Sequence, residues 1–142
     1  MNSKFRTLAL LCCLGASAGV LAAPPADPTA PLLDRYAAQA RAADPAFAGF
    51  SAARGETLHR TRYGLGKPDT PACTSCHGDD PRAAGKTRTG KAIEPMAVSV
   101  VGTRYGDPAK VEKWFKRNCN EVLGRECSAR EKGDWLVWMT SQ

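Results

Sequence analysis

The stretch Cys73-Thr74-Ser75-Cys76-His77 decides how the rest of the chain is read. C-x-x-C-H is the pattern of covalent c-type haem attachment. Two thiols at that spacing can each form a thioether to a haem vinyl group, and the imidazole of the next residue reaches the iron. One haem c is therefore expected on Cys73 and Cys76, with His77 as proximal iron ligand. Two other chemistries use C-x-x-C. A thiol-exchange pair would sit ahead of a helix in a strand-rich fold, and a zinc ribbon needs a second C-x-x-C. Neither context is present in the sequence.

Upstream, Lys4 and Arg6 precede an apolar run from Leu8 to Val20, and Val20-Leu21-Ala22 offers a small-residue cleavage site. That is the pattern of a secretory signal. Cleavage after Ala22 predicts a signal peptide over residues 1–22 and a mature chain over 23–142, exported to the periplasm and not membrane-spanning. The apolar run falls short of the ~18–20 residues of a bilayer span, which disfavours the alternative of an uncleaved anchor. Cys12 and Cys13 leave with the signal. Of the six cysteines, Cys119 and Cys127 then remain as one even pair in an oxidising compartment, which favours a disulfide. Such a bridge would close a short loop, worth about 2–3 kcal/mol in the chain-entropy model. The alternative is two buried free thiols.

Twenty Lys and Arg stand against fourteen Asp and Glu. Without Lys4 and Arg6 the excess is mild and scattered, which suits an acidic redox partner and argues against nucleic acid.

From Pro24 to Pro31 the chain reads as an extended tether. Leu32, Leu33, Tyr36, Ala37 and Ala40 recur at helical spacing and predict a short helix to about Ala43. Residues 23–43 thus form a tether and helix ahead of a main domain over 44–142. Asp44-Pro45 reads as the cap and first-turn proline of a second helix reaching about Arg62. Tyr63 to Ala72, with two glycines and two prolines, is a loop. Past His77 the chain is turn-rich, with Lys86, Arg88 and Lys91 read as a solvated basic rim and, as the alternative, as partners of a haem propionate or of an acidic patch on a partner. Ile93 to Val98 is an apolar strip too short for a helix, expected beside the haem edge.

Asp107-Pro108 opens the clearest helix, with Val111, Trp114, Phe115, Asn118 and Val122 on one face and Leu123-Gly124 at its end. Ser128-x-x-Glu131 is a capping box opening a last helix that buries Trp135, Leu136, Trp138 and Met139. No strand-period run of any length appears, so the fold is expected to be all-α: a class I cytochrome c arrangement wrapped around the haem, with an extra N-terminal helix. Gly55 and His59 fall where such folds place a small residue and an aromatic at the crossing of the terminal helices. His59 is read as a packed structural histidine, with a second haem ligand as the alternative.

The sixth iron position separates a saturated electron carrier from a protein that takes up a ligand. Met96 lies well within chain reach of the iron past His77; its other reading is an apolar filler. Asn118 points inward by helical phase; its other reading is a hydrogen-bonded core or cap asparagine.

Several blocks carry a resemblance to a known family. Phe50 to Glu56, Cys73 to Gly78, Thr89 to Met96, Asp107 to Phe115, and above all Arg117-Asn118-Cys119-Asn120-Glu121-Val122-Leu123-Gly124-Arg125-Glu126-Cys127 together resemble the SHP-type cytochromes c, or sphaeroides haem proteins. The resemblance spans about residues 50–139. It implies a monohaem cytochrome whose sixth ligand is Asn118, beside a Cys119–Cys127 disulfide. It also implies that the asparagine leaves iron on reduction and that the ferrous haem then binds oxygen, nitric oxide or carbon monoxide. A dihaem cytochrome c, with a membrane cytochrome b behind it, is the implied electron source. His59 stands where the family pattern expects an aromatic. A neutral amide is a poor ligand for soft ferrous iron, so the chemistry of the residues agrees. Trp114, Phe115 and Val111 are expected to keep the pocket apolar. An oxygen-reducing or nitric-oxide-oxidising activity would use the same residues. The competing expectations are a plain electron-transfer cytochrome with His/Met or His/His ligation, and a haem sensor or subunit of a larger enzyme.

Overall fold

A computed structural model describes residues 27–142. The expected signal peptide and the start of the tether lie outside the described residues. The order is helix α1 (Ala30–Ala43), α2 (Ala52–Arg60), α3 (Thr74–His77), strands β1 (Gly85–Lys86) and β2 (Ala92–Ile93), then α4 (Pro108–Leu123) and α5 (Ala129–Thr140). Among the described residues no helix is long and apolar enough to cross a membrane.

Helix α1 buries Leu32, Tyr36 and Ala40 at four-residue steps, a single stripe turned onto α5. Tyr36 is fully buried, and its hydroxyl donates to Glu112 Oε1 at 2.6 Å. Lys132 Nζ meets the other Glu112 oxygen at 2.8 Å and Arg35 adds a third contact at 2.7 Å. Burial alone would raise the Glu112 pKa, but the hydrogen bonds from Lys132 and Tyr36 and the nearby cations hold it below the usual range. One carboxylate thereby joins α1, α4 and α5.

The second helix starts later than the sequence suggests. Asp44 ends α1 and folds back, its side chain accepting from Ala46 N at 2.9 Å, and the chain stays irregular to Gly49, which has φ +127°. That left-handed geometry interrupts any helix there. The true N-cap is Ser51, whose hydroxyl accepts from Arg54 N, and the helix ends at Arg60 rather than Arg62. A two-residue antiparallel ladder, Gly85 opposite Ile93, also departs from the strandless expectation. A turn closes it, Thr87 N donating to Lys91 O at 2.8 Å.

The crossing of α2 and α5 is the architectural centre. A Cβ on Gly55 would overlap the Asp134 backbone carbonyl, so only glycine lets the helices approach this closely. Asp134 is buried and holds the same junction from the side: it accepts from Ser51 N and takes Arg54 in two parallel contacts of 2.7 Å. The Ser128–Glu131 capping box forms as expected and launches α5 with Trp135, Leu136, Trp138 and Met139 buried. Asp107 caps α4 by accepting from Ala109 N and Lys110 N, and Gly124 ends it at φ +71°.

Candidate haem site

The C-x-x-C-H residues form one helical turn. Cys73 is the N-cap of α3, Cys76 lies three residues on, and His77 closes the turn with its N–H donating to Cys73 O at 3.0 Å. That spacing sets both sulfurs and the imidazole on one turn. Gly78 then reverses the chain at φ +70°. Gly85 of β1 packs on the turn so closely that a Cβ would overlap the Cys76 carbonyl.

The electrostatics of the turn favour ligation over thiol exchange. Burial pushes the Cys73 thiol up to about 11 and raises Cys76 as well. Exchange-active thiols are shifted the other way. Among the described residues no group of three His, Cys, Asp or Glu gathers that could hold a metal ion. Burial, together with the charges of His59 and Arg104, takes His77 down to about 4, leaving the neutral imidazole that binds metals. Its Nδ1 is buried with no hydrogen-bond partner among the described residues. Two thiols and an underpartnered neutral imidazole on one turn fit covalent haem.

His59 sits directly behind this turn, 1% exposed, with its ring centroid 6.3 Å from that of His77. Trp135 Nε1 donates to its Nδ1 at 3.2 Å and its Nε2 meets Gly78 O at 2.9 Å. Both ring nitrogens are used, so His59 is structural.

Asn118 lies in the last third of α4, half-buried, and its amide makes no hydrogen bond among the described residues. By contrast the Asn120 amide donates to Lys116 O at 2.6 Å. The neighbour of Asn118, Cys119, is bonded to Cys127 with Cα atoms 5.5 Å apart. Cys73 packs against the cluster of Cys119, Val122, Leu123 and Cys127, bringing the haem turn to this end of α4. The loop before Cys73 reinforces the contact: Lys67 N donates to Glu121 O at 2.7 Å, its Nζ reaches Glu121 Oε1 at 3.0 Å, and Gly66 packs on the Glu121 and Val122 carbonyls.

Met96 is placed elsewhere, in the main core with Tyr36, Tyr105, Trp135 and Leu136. Its N–H donates to Pro81 O, and its carbonyl accepts from the Tyr105 hydroxyl at 2.6 Å. Lys86, Arg88 and Lys91 are exposed, and Arg88 pairs with Asp69. Trp114 stands on the same helix face as Val111, Phe115 and Asn118. It is 44% exposed with the Arg117 guanidinium 5.5 Å from its ring, while Val111, Cys119, Val122 and Leu123 form the buried side.

Sequence reasoning missed Arg104, the Lys67–Glu121 clamp and the Arg54–Asp134 junction. The last two join segments far apart in the chain, for which local periodicity carries no signal. A haem-attachment turn held behind crossing helices, with a disulfide-tied helix alongside, defines a c-type cytochrome.

The comparisons agree. Residues 45–139 match a family described as a domain of unknown function, DUF1924. The cytochrome c-type protein SHP of Cereibacter sphaeroides is 53% identical over 91 residues, 64% of this chain and 70% of that protein. Cytochrome c'' of Methylophilus methylotrophus is 32% identical over 78% of each. A structure described as oxidised SHP, an oxygen-binding cytochrome c, superimposes with TM-score 0.73 at 48% identity, covering 80% of this chain and 96% of that one. Oxidised cytochrome c'' superimposes with TM-score 0.71 at 31% identity, covering 81% and 94%. Its solution structure, presented as bearing on haem-ligand detachment, gives 0.68 at 32% identity, covering 79% and 91%. The chain belongs to the SHP-type cytochromes c.

Proposed function

We propose that the protein is a periplasmic monohaem cytochrome that accepts electrons from another cytochrome and, once reduced, binds oxygen, nitric oxide or carbon monoxide. In this reading Asn118 is a sixth ligand that leaves on reduction. The observation that carries it is the Asn118 amide, half-buried and without a hydrogen bond among the described residues, on a helix end against which the haem turn packs. Held by Cys73, Cys76 and His77, haem c would supply an iron that exchanges one electron and takes an exogenous ligand.

The chain's residues divide the remaining work. Cys73 and Cys76 fix the group, and His77 offers a neutral imidazole. Asn118 offers a neutral amide, a weak partner for ferrous iron, on a side chain that no hydrogen bond holds elsewhere. The disulfide and the Lys67–Glu121 clamp keep its backbone still. An SHP described as oxygen-binding and a cytochrome c'' described through ligand detachment support this reading. The donor, a dihaem cytochrome c with a membrane cytochrome b upstream, follows from the family resemblance; the basic excess of the chain suits an acidic partner.

The test is the absorption spectrum of the anaerobically reduced protein, alone, with carbon monoxide, and separately with oxygen. A high-spin ferrous spectrum that shifts at once is expected. A low-spin spectrum indifferent to both gases would sink the proposal and make Met96 the leading ligand.

A further inference from the structure

The three tyrosines of the chain differ in what their hydroxyls can do with a proton. Tyr63 donates to the Leu58 carbonyl at 3.3 Å and Tyr105 to the Met96 carbonyl at 2.6 Å, and a peptide carbonyl cannot keep a proton. Tyr36 alone donates to a carboxylate, Glu112 Oε1, at 2.6 Å. Its ring is fully buried, yet the Glu112 side chain is 33% exposed, so a proton arriving there reaches solvent. Burial and the bond to Glu112 hold the Tyr36 hydroxyl protonated, well above its ordinary pKa. The Arg35 guanidinium lies 5.4 Å and the Lys132 ammonium 5.7 Å from the ring centre. Cations that close disfavour any state in which the ring itself turns positive. If Tyr36 gives up an electron, its proton must leave in the same step, and Glu112 is placed to take it.

A file of rings joins this tyrosine to the haem turn. The His59 centroid lies 6.3 Å from that of His77 and 6.4 Å from that of Trp135. Phe115 meets Trp135 at 5.5 Å and Tyr36 at 6.2 Å, edge-on in both cases. Trp135 and Tyr36 are the readily oxidised members. Trp135 keeps its indole proton in the 3.2 Å hydrogen bond to His59, whose other ring nitrogen is committed to Gly78 O, so an oxidised Trp135 has nowhere to settle its charge. It is a relay, and Tyr36 is the stop. A side branch reaches Trp138, 5.0 Å from His59, but the Arg60 cation 6.0 Å from that ring disfavours a positive charge there too.

We infer that Tyr36 gives one electron to the haem when the haem meets a hydroperoxide, the electron passing by way of Trp135 and the hydroxyl proton passing to Glu112. Breaking the O–O bond of hydrogen peroxide takes two electrons, of which the haem supplies one and Tyr36 the other. One oxygen leaves as water with both peroxide protons, the other stays with the haem, and a neutral tyrosyl radical remains beside a protonated Glu112. The inference rests on the proposed opening of the sixth position, through which peroxide reaches the iron.

Freeze-quench electron paramagnetic resonance of the ferric, haem-loaded protein mixed with hydrogen peroxide tests it, with the haem absorption followed in parallel. Wild type is expected to give a tyrosyl signal. Tyr36→Phe should abolish that signal. Glu112→Gln should abolish it as well, because the amide still accepts the hydrogen bond but cannot hold the proton. Tyr63→Phe, Tyr105→Phe and Trp138→Phe should leave it in place. The inference is overturned if the signal survives in Tyr36→Phe or Glu112→Gln, or disappears in any of the other three. Should Tyr36→Phe fail to accumulate, Glu112→Gln decides alone. A haem that reacts without any tyrosyl signal sinks this inference only, whereas a haem whose absorption peroxide leaves unchanged sinks the open sixth position and this inference with it.

Discussion

The indole N–H of Trp135 donates to Nδ1 of His59 across 3.2 Å inside the core. An indole nitrogen can only donate, so Nδ1 accepts and the proton of the neutral ring sits on Nε2, from where it donates to Gly78 O at 2.9 Å. One imidazole therefore links α5, α2 and the residue after the proximal ligand. His59→Phe keeps the ring and removes both hydrogen bonds, leaving a buried N–H and a carbonyl without partners. A loss of about 2–4 kcal/mol is expected in denaturant unfolding of the haem-loaded protein, with the ferric spectrum unchanged. A changed ferric spectrum would instead make His59 an iron ligand.

His59 also predicts a pH dependence. Burial holds its pKa below the ordinary value, only partly opposed by the Gly78 hydrogen bond and the Asp79 charge. The unfolded chain then binds the proton more readily than the folded one. The contribution of His59 to stability is full above the unfolded value of about 6.5 and is lost as pH falls through that value toward the folded one. Urea unfolding between pH 8 and pH 5 should show the decline, and His59→Phe should flatten it.

At the sixth position, Asn118→Ala should convert the ferric spectrum to one with a weaker or missing ligand while leaving the ferrous carbon monoxide complex able to form. Met96→Ala should leave both spectra in place and lower stability by about 2–5 kcal/mol, since Met96 fills the main core. The reverse pattern would exchange their roles.

Gly55→Ala forces a methyl group into the Asp134 carbonyl at the helix crossing. A loss of about 1–3 kcal/mol or more is expected in thermal unfolding. Gly64→Ala is the control: nothing lies within 4 Å of its Cβ position, and the change should be close to neutral. Equal effects would show that α2 and α5 cross less tightly than described.

Local signals carried far into this fold. The capping pairs Asp107-Pro108 and Ser128-x-x-Glu131 announce both C-terminal helices, because caps act within one turn. C-x-x-C-H announces the haem turn for the same reason. Asp44-Pro45 misled because its carboxylate serves an irregular turn instead of a helix, and the left-handed Gly49 that follows is not visible from composition. Arg104 was invisible, lying in a turn-rich stretch whose meaning comes from residues it meets in space.

The clamp at the end of α4 has a consequence for exchange of chemistry. The Cys119–Cys127 bond, and Lys67 with Gly66 against Glu121 and Val122, hold the backbone immediately after position 118. That position therefore behaves as a socket: its side chain can be swapped with little disturbance to the frame. On the function proposed above, a stronger donor there, as in Asn118→His, is expected to give a closed electron shuttle by a single replacement.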